Sequence, residues 1–206
     1  EIYTLSLHDA LPIYELTVDS QIYQLEAPFM VMATQNPIEQ YGTYPLPEAQ
    51  LDRFLVKLSM GYPLLEDEVR VVLEAEAAKQ RMQPVATGDD VVKLQELARD
   101  LHVAPSVARY AVQIVAATRS VKECVCGASP RASIALVNMA RANALMRGRS
   151  YVMPDDVKFL APHVLAHRII LTHEARVSAR DSKAVITGIL DTVAVPAVGA
   201  AELRGE

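Results

Sequence analysis

Three polar side chains stand where chemistry on an anion could be done: Asn36, Arg53 and Arg131. Asn36 lies two positions beyond the apolar run FMVMAT, and in open α/β sheets ligands gather past the carboxyl ends of the strands. Pro37 restricts Asn36 to extended geometry, which suits an amide that orients a water or a phosphate oxygen. An Asx-type turn residue that merely ends the strand fits the same position. Arg53 closes the segment PEAQLDR, where a cation also complements the negative end of a helix dipole, so a structural role is available to it. Arg131 falls in the first turn of a helix opened by Ser129 and Pro130. A cation there is disfavoured by a few tenths to about 1 kcal/mol unless an anion shares the site. A bound phosphate resolves that conflict; solvent screening of a surface arginine resolves it as well.

Other reactive residue types read as structural. His163 and His167 are four apart and His173 follows, but Val164, Leu165 and Ala166 fill the gap where H-E-x-x-H would place its glutamate, so no metal site is expected. The pairs Asp89–Asp90 and Asp155–Asp156 sit at helix starts and read as caps. Cys124 and Cys126 are too close for a disulfide framework and lack C-x-x-C spacing, which fits a reducing cytoplasm.

The elements that must position these residues change character along the chain. ELTV and IYQL, separated by Asp19 and Ser20, predict a β-hairpin. FMVMAT, apolar at nearly every position, predicts a strand buried on both faces of a mostly parallel sheet, and FLVKLSM (residues 54–60) predicts a second, reached through a short helix behind Pro47. Beyond Pro63 no convincing strand remains. LLEDEVRVVLEAEAAKQ, DDVVKLQELARDL, a segment from Pro105 to about Val121, one from Ser129 to Gly148, one opened by Pro154 and one over residues 181–193 all carry helical signals. Val107, Ala108, Val112, Val115 and Ala116 form an apolar face read as bundle core. The fold class expected is an α/β fragment followed by an all-α bundle, with a sheet too small to cover both faces of FMVMAT.

With 206 residues, 51% of them hydrophobic, the chain can fill a core. A formal net charge of −5 leaves no basic footprint for a nucleic-acid backbone, so no nucleic-acid partner is expected. No apolar stretch approaches the length of a membrane span.

FMVMATQNPIEQYGTYPLPEAQLDRF resembles the signature of MoxR-type AAA+ ATPases, and CGASPRASIALVNMARANALMRGRSYVMPDDV resembles the helical lid of the same family. The likeness runs from about residue 14 to about residue 193. It implies the C-terminal part of an AAA+ P-loop nucleotide-binding core over residues 14–62 and a lid over residues 63–206. Asn36 would be sensor 1, facing the γ-phosphate and its attacking water. Arg53 would be the arginine finger, reaching the nucleotide of a neighbouring subunit, and Arg131 would be sensor 2. The hairpin matches the one such proteins insert before sensor 1, with Ser20 where glycine is usual. ATP and Mg²⁺ are the implied ligands. A cytoplasmic ring, hexameric by resemblance, is the implied assembly, with von Willebrand factor A-domain proteins and remodelled client proteins as partners.

The departures are absences. None of the eight glycines belongs to G-x-x-x-x-G-K-[ST], and no run of four apolar residues leads into Asp-Glu, so the Mg²⁺ ligands and general base are missing. The chain as written is therefore expected not to hydrolyse ATP, while the complete protein is. Residues 1–13, EIYTLSLHDALPI, resemble a translated sequencing adapter and are expected to be non-native. A magnesium-chelatase-like ATPase subunit and a nucleotide-independent helical interaction module are the alternative readings.

Overall fold

A computed structural model describes residues 15–18, 21–35, 47–74, 83–178, 181–199 and 201–202. The hairpin forms as expected: β1 (Glu15–Val18) pairs antiparallel with β2 (Gln21–Gln24), with Leu16 opposite Tyr23. A single helical turn, α1 (Glu48–Leu51), follows Pro47. Next come α2 (Leu65–Leu73) and α3 (Gly88–Asp100). The rest of the chain folds as α4 (Pro105–Ala117), β3 (Cys124–Cys126), α5 (Pro130–Met146), α6 (Pro154–Leu165), β4 (Ile170–Leu171), α7 (His173–Val177) and α8 (Ser182–Thr192). A mixed region thus precedes a helical bundle.

The two buried strands expected at residues 29–34 and 54–60 are absent; both segments are irregular. A strand must hand its N–H and C=O groups to a neighbour. Among the described residues the ladders are confined to β1–β2, β3–β4 and a bridge between His102 and Tyr151. Met30 and Met32 accordingly stand in solvent, and the Lys57 N–H donates to the His163 carbonyl at 3.1 Å instead of to a strand.

The bundle core starts at Leu101 and runs to Leu190; Val56 alone, among earlier described residues, packs against it. Its helices follow the 3.6-residue period. In α4 the buried residues are Val107, Tyr110, Ala111, Ile114 and Val115, and in α8 they are Val185, Ile186, Ile189 and Leu190. Val112 and Ala116, read from the sequence as part of the α4 core face, are exposed instead. Along α5 the buried stripe is mostly alanine: Ala132, Ala135, Leu136, Ala140 and Ala144. Such small side chains let α6 approach closely with Val157, Leu160, Ala161 and Val164. Each fully buried Val, Leu or Ile contributes roughly 1.5–3 kcal/mol.

Helix ends show where local signals were used differently from expectation. Thr87, not Asp89, caps α3: its hydroxyl accepts from the Asp90 N–H at 3.2 Å while the Asp90 carboxylate accepts from the Thr87 N–H at 2.9 Å. Helix α4 stops at Ala117, short of Val121, because the buried Thr118 hydroxyl donates to the Val115 carbonyl and accepts from the Ala128 N–H. That turn feeds β3, a strand the sequence did not announce, which pairs with β4 through a bulge. Gly148, at φ +69°, ends α5 as expected.

Candidate functional site

The segment that carries Arg53 is held on the bundle at one corner, built from the turn after α1, the start of α5 and the end of α6. Asp52 and Arg53 leave α1 in a tight turn, with the Arg53 N–H on the Gln50 carbonyl and the Phe54 N–H on the Leu51 carbonyl, both at 3.1 Å. Arg53 is half-buried, neither sealed within the chain nor fully exposed. Across from it Ser129 occupies the N-cap position of α5, yet its hydroxyl makes no capping bond. It donates instead to the Asp52 carboxylate, 3.1 Å from Oδ2 and 3.4 Å from Oδ1. Arg131 follows two residues later on the exposed side of the first helical turn.

Beneath this contact lies Arg168, whose side chain is 1% exposed. Its Nε is 3.3 Å from Asp52 Oδ1, its Nη2 donates to the carbonyls of Phe54 at 2.7 Å and Asp52 at 3.2 Å, and its Nη1 donates to Val164 at 2.8 Å. A buried cation is tolerated only when paired and fully hydrogen-bonded, and the fork geometry of guanidinium meets both demands here. Burial pushes the Arg168 pKa down, the Asp52 carboxylate opposes the shift, and the nearby Arg131 charge adds to it. His167 completes the corner: its Nε2 lies 2.9 Å from the Phe54 carbonyl, so that nitrogen carries the proton, while Nδ1 is buried without a partner. Burial is the main reason its pKa lies below that of a free histidine.

The structure therefore brings the surroundings of Arg53 and Arg131 together through the Asp52–Ser129 bond. Asn36 lies outside the described residues. Arg131 stands close enough to Arg168 to add to the lowering of its pKa, against the opposing Asp52 carboxylate, and the backbone N–H groups at the N-terminal end of α5 add partial positive charge. That environment fits a phosphate at Arg131. For Mg²⁺ the fit fails, because among the described residues no group of three or more His, Cys, Asp or Glu side chains could hold a metal ion. His163 and His167 serve as junction residues. Among the described residues no helix is long and apolar enough to cross a membrane.

Reading residues singly missed Asp52, Ser129, His167 and Arg168. One signal was available: Arg168, beside His167, is a charge inside VLAHRIIL, whose remaining residues are all apolar, the mark of a cation that must find partners indoors. The pair Asp155–Asp156 was read as caps, which holds for Asp156 but understates it. Asp156 is 2% exposed, accepts the Met153 N–H at 2.8 Å, and takes a bidentate grip from Arg149 at 2.6 and 2.8 Å with Asn143 at 2.6 Å.

Comparison with known proteins bears on both regions. Residues 4–56 match the family model of the ATPase family associated with various cellular activities (AAA), and residues 116–189 match the AAA lid domain. The uncharacterized protein YeaC of Bacillus subtilis (strain 168) is 44% identical over 193 residues, covering 93% of this chain and 60% of that protein. Chaperone MoxR1 of Mycobacterium tuberculosis (strain ATCC 25618 / H37Rv) is 41% identical over 199 residues, covering 92% of this chain and 53% of that protein. A crystal structure from Cytophaga hutchinsonii ATCC 33406 superposes with a TM-score of 0.82 at 35% identity, over 89% of this chain and 59% of that one. The chain thus spans little more than half the length of these relatives.

Proposed function

Because the chain belongs to the MoxR family of AAA+ ATPases, we propose that it supplies the arginine-finger corner and lid of a ring-forming enzyme that hydrolyses ATP to remodel or mature client proteins. In this reading Asn36 orients the water that attacks the γ-phosphate. Arg53 reaches across a subunit boundary to the neighbour's nucleotide and stabilises the charge that builds on the transferring phosphoryl group. Arg131, on the lid side, neutralises phosphate charge in its own subunit and couples the lid to the nucleotide. Mg²⁺, if bound, would supply positive charge against the phosphates, and among the described residues none is assigned to hold it. Partners of the von Willebrand factor A-domain type and a cytoplasmic location belong to the same reading.

The observation that supports it is the corner itself. The turn bearing Arg53 and the helix start bearing Arg131 are tied together by the Asp52–Ser129 bond, as expected where one cation serves the subunit's own nucleotide and the other serves the next. The test is ATP turnover by the complete protein. Arg53→Ala should lower kcat by about 10³-fold or more with little change in ATP affinity, and Arg131→Ala should weaken ATP binding as well as turnover. Wild-type turnover in both variants would overturn the reading, and client binding indifferent to ATP would then favour the helical interaction module.

A further inference from the structure

We propose that Arg168, acting through Asp52 and Ser129, is a positioning residue for the arginine finger, so that the lid of a subunit sets how that subunit presents Arg53 to its neighbour. This rests on the proposed function above and goes beyond it, because it assigns the link between the residue that senses a subunit's own nucleotide and the one that serves the next.

The geometry carries the step. Arg168 belongs to the bundle, one residue before the buried Ile169 and three past Leu165 at the end of α6. Apart from an Nη1 bond to the Val164 carbonyl of its own bundle at 2.8 Å, its guanidinium donates to the finger segment: the carbonyls of Asp52, Phe54 and, at 3.5 Å, Leu55, together with the Asp52 carboxylate. The carbonyls it holds flank Arg53 on both sides. The finger's backbone is thereby fixed by a buried cation of the lid and not by its own one-turn helix, which buries no residue. Asp52 has a second partner in Ser129, two residues before Arg131, so a displacement of the α5 start is passed to the residue adjoining Arg53. His167 on the Phe54 carbonyl and His163 receiving the Lys57 N–H keep the segment from pivoting about a single bond. A lid that moves with its nucleotide must carry Asp52, and with it Arg53, along.

A trans-acting finger allows a test that separates positioning from general damage. In the complete protein, Arg168→Met should lower kcat about tenfold while leaving KM for ATP within about twofold, since a displaced catalytic group costs rate more than affinity. The lesion should lie in what the variant gives its neighbour. Mixing it with Asn36→Ala subunits, whose own sites are inactive but whose fingers are intact, should restore turnover at the Arg168→Met sites. The control mixture, Arg53→Ala with Asn36→Ala, reports on the underlying reading: if it fails to recover activity, the assignment of Arg53 as a trans-acting finger falls and this inference falls with it. If the control recovers and the Arg168→Met mixture does not, or if Arg168→Met keeps wild-type kcat, only the positioning role is overturned. Should Arg168→Met fail to fold, Ser129→Ala decides: it removes one hydrogen bond and leaves the Arg168 contacts in place. A loss of about threefold in kcat, recovered in the same mixture, supports the link, and an unchanged kcat overturns it.

Discussion

Asp156 is the residue on which the bundle's acid stability should depend most. Burial raises its pKa, but the Arg149 guanidinium, the Met153 N–H and Asn143 outweigh that and hold the carboxyl below its ordinary value. A carboxylate whose folded pKa is depressed contributes stability that is present above the unfolded value, about 3.9, and is lost as pH falls through the folded one. Thermal melts of the wild type should therefore drop steeply below about pH 4, and Asp156→Asn should flatten that drop. At neutral pH, Asp156→Ala should cost about 3–5 kcal/mol, because Arg149 is left as a largely buried charge without its partner; denaturant melts read this directly. His167 has the opposite chemistry and the same sign. Its folded pKa lies below 6.5, so the unfolded chain binds more protons between the two values, and the stability carried by the neutral ring is lost as pH falls through about 6.5. Protection against hydrogen exchange at the Phe54 and Lys57 amides, taken relative to the intrinsic exchange rate at each pH, should be weaker at pH 5.5 than at pH 7.5, and His167→Gln should abolish that difference. Of these partners only Met153 is close enough to Asp156 for a local capping pattern to announce it; Asn143 and Arg149 come from the end of α5 and the residues just after it, and Phe54 meets His167 across 113 residues.

Among the elements, the α4–β3–α5 connection has the least room for change. A Cβ on Gly127 would stand 2.6 Å from the Arg119 backbone nitrogen and 2.7 Å from its Cα, so backbone and not a flexible side chain would have to move. The same neighbours are locked by the Arg119 Nε bond to the Ala128 carbonyl and the Thr118 bond to the Ala128 N–H. Gly127→Ala should destabilise by about 1–3 kcal/mol and, by shifting Ser129, weaken the Asp52 contact; a melt combined with a nuclear magnetic resonance shift at Asp52 checks both. Helix starts and stops were largely legible, since Pro105, Pro130, Pro154 and Gly148 act locally. Strand β3 was not, because three residues, CVC, hold no period and pair only when the chain returns at Ile170.

At the scale of the molecule, burial is lopsided. Every described residue that is buried lies at Leu101 or beyond, while Met30, Met32, Leu58, Met60, Tyr62, Leu64 and Leu65 are exposed. Apolar surface of that extent normally meets a partner surface. The 206-residue chain should therefore bind a dye such as anilinonaphthalene sulfonate, and the complete protein should bind markedly less per mole. Equal binding by both would show that the additional sequence does not cover this face. Amide protection should likewise be greatest in α4, α5, α6 and α8, where the core residues concentrate.

By itself the sequence determined the family, through two long motifs, and the division into a mixed region and a helical bundle, because periodicity, caps and breakers act over a few residues and survive without the rest of the fold. It also marked Arg131 as a cation in an unusual setting, while Arg53 stood out only through the resemblance. Only the tertiary structure decided what they share. Arg168 meets Asp52 across 116 residues, and Ser129 meets it across 77, distances over which no local rule operates. It decided, too, that FMVMAT and FLVKLSM form no strands here, since an apolar run states that a segment can be buried, while a ladder exists only where a neighbouring backbone accepts its hydrogen bonds.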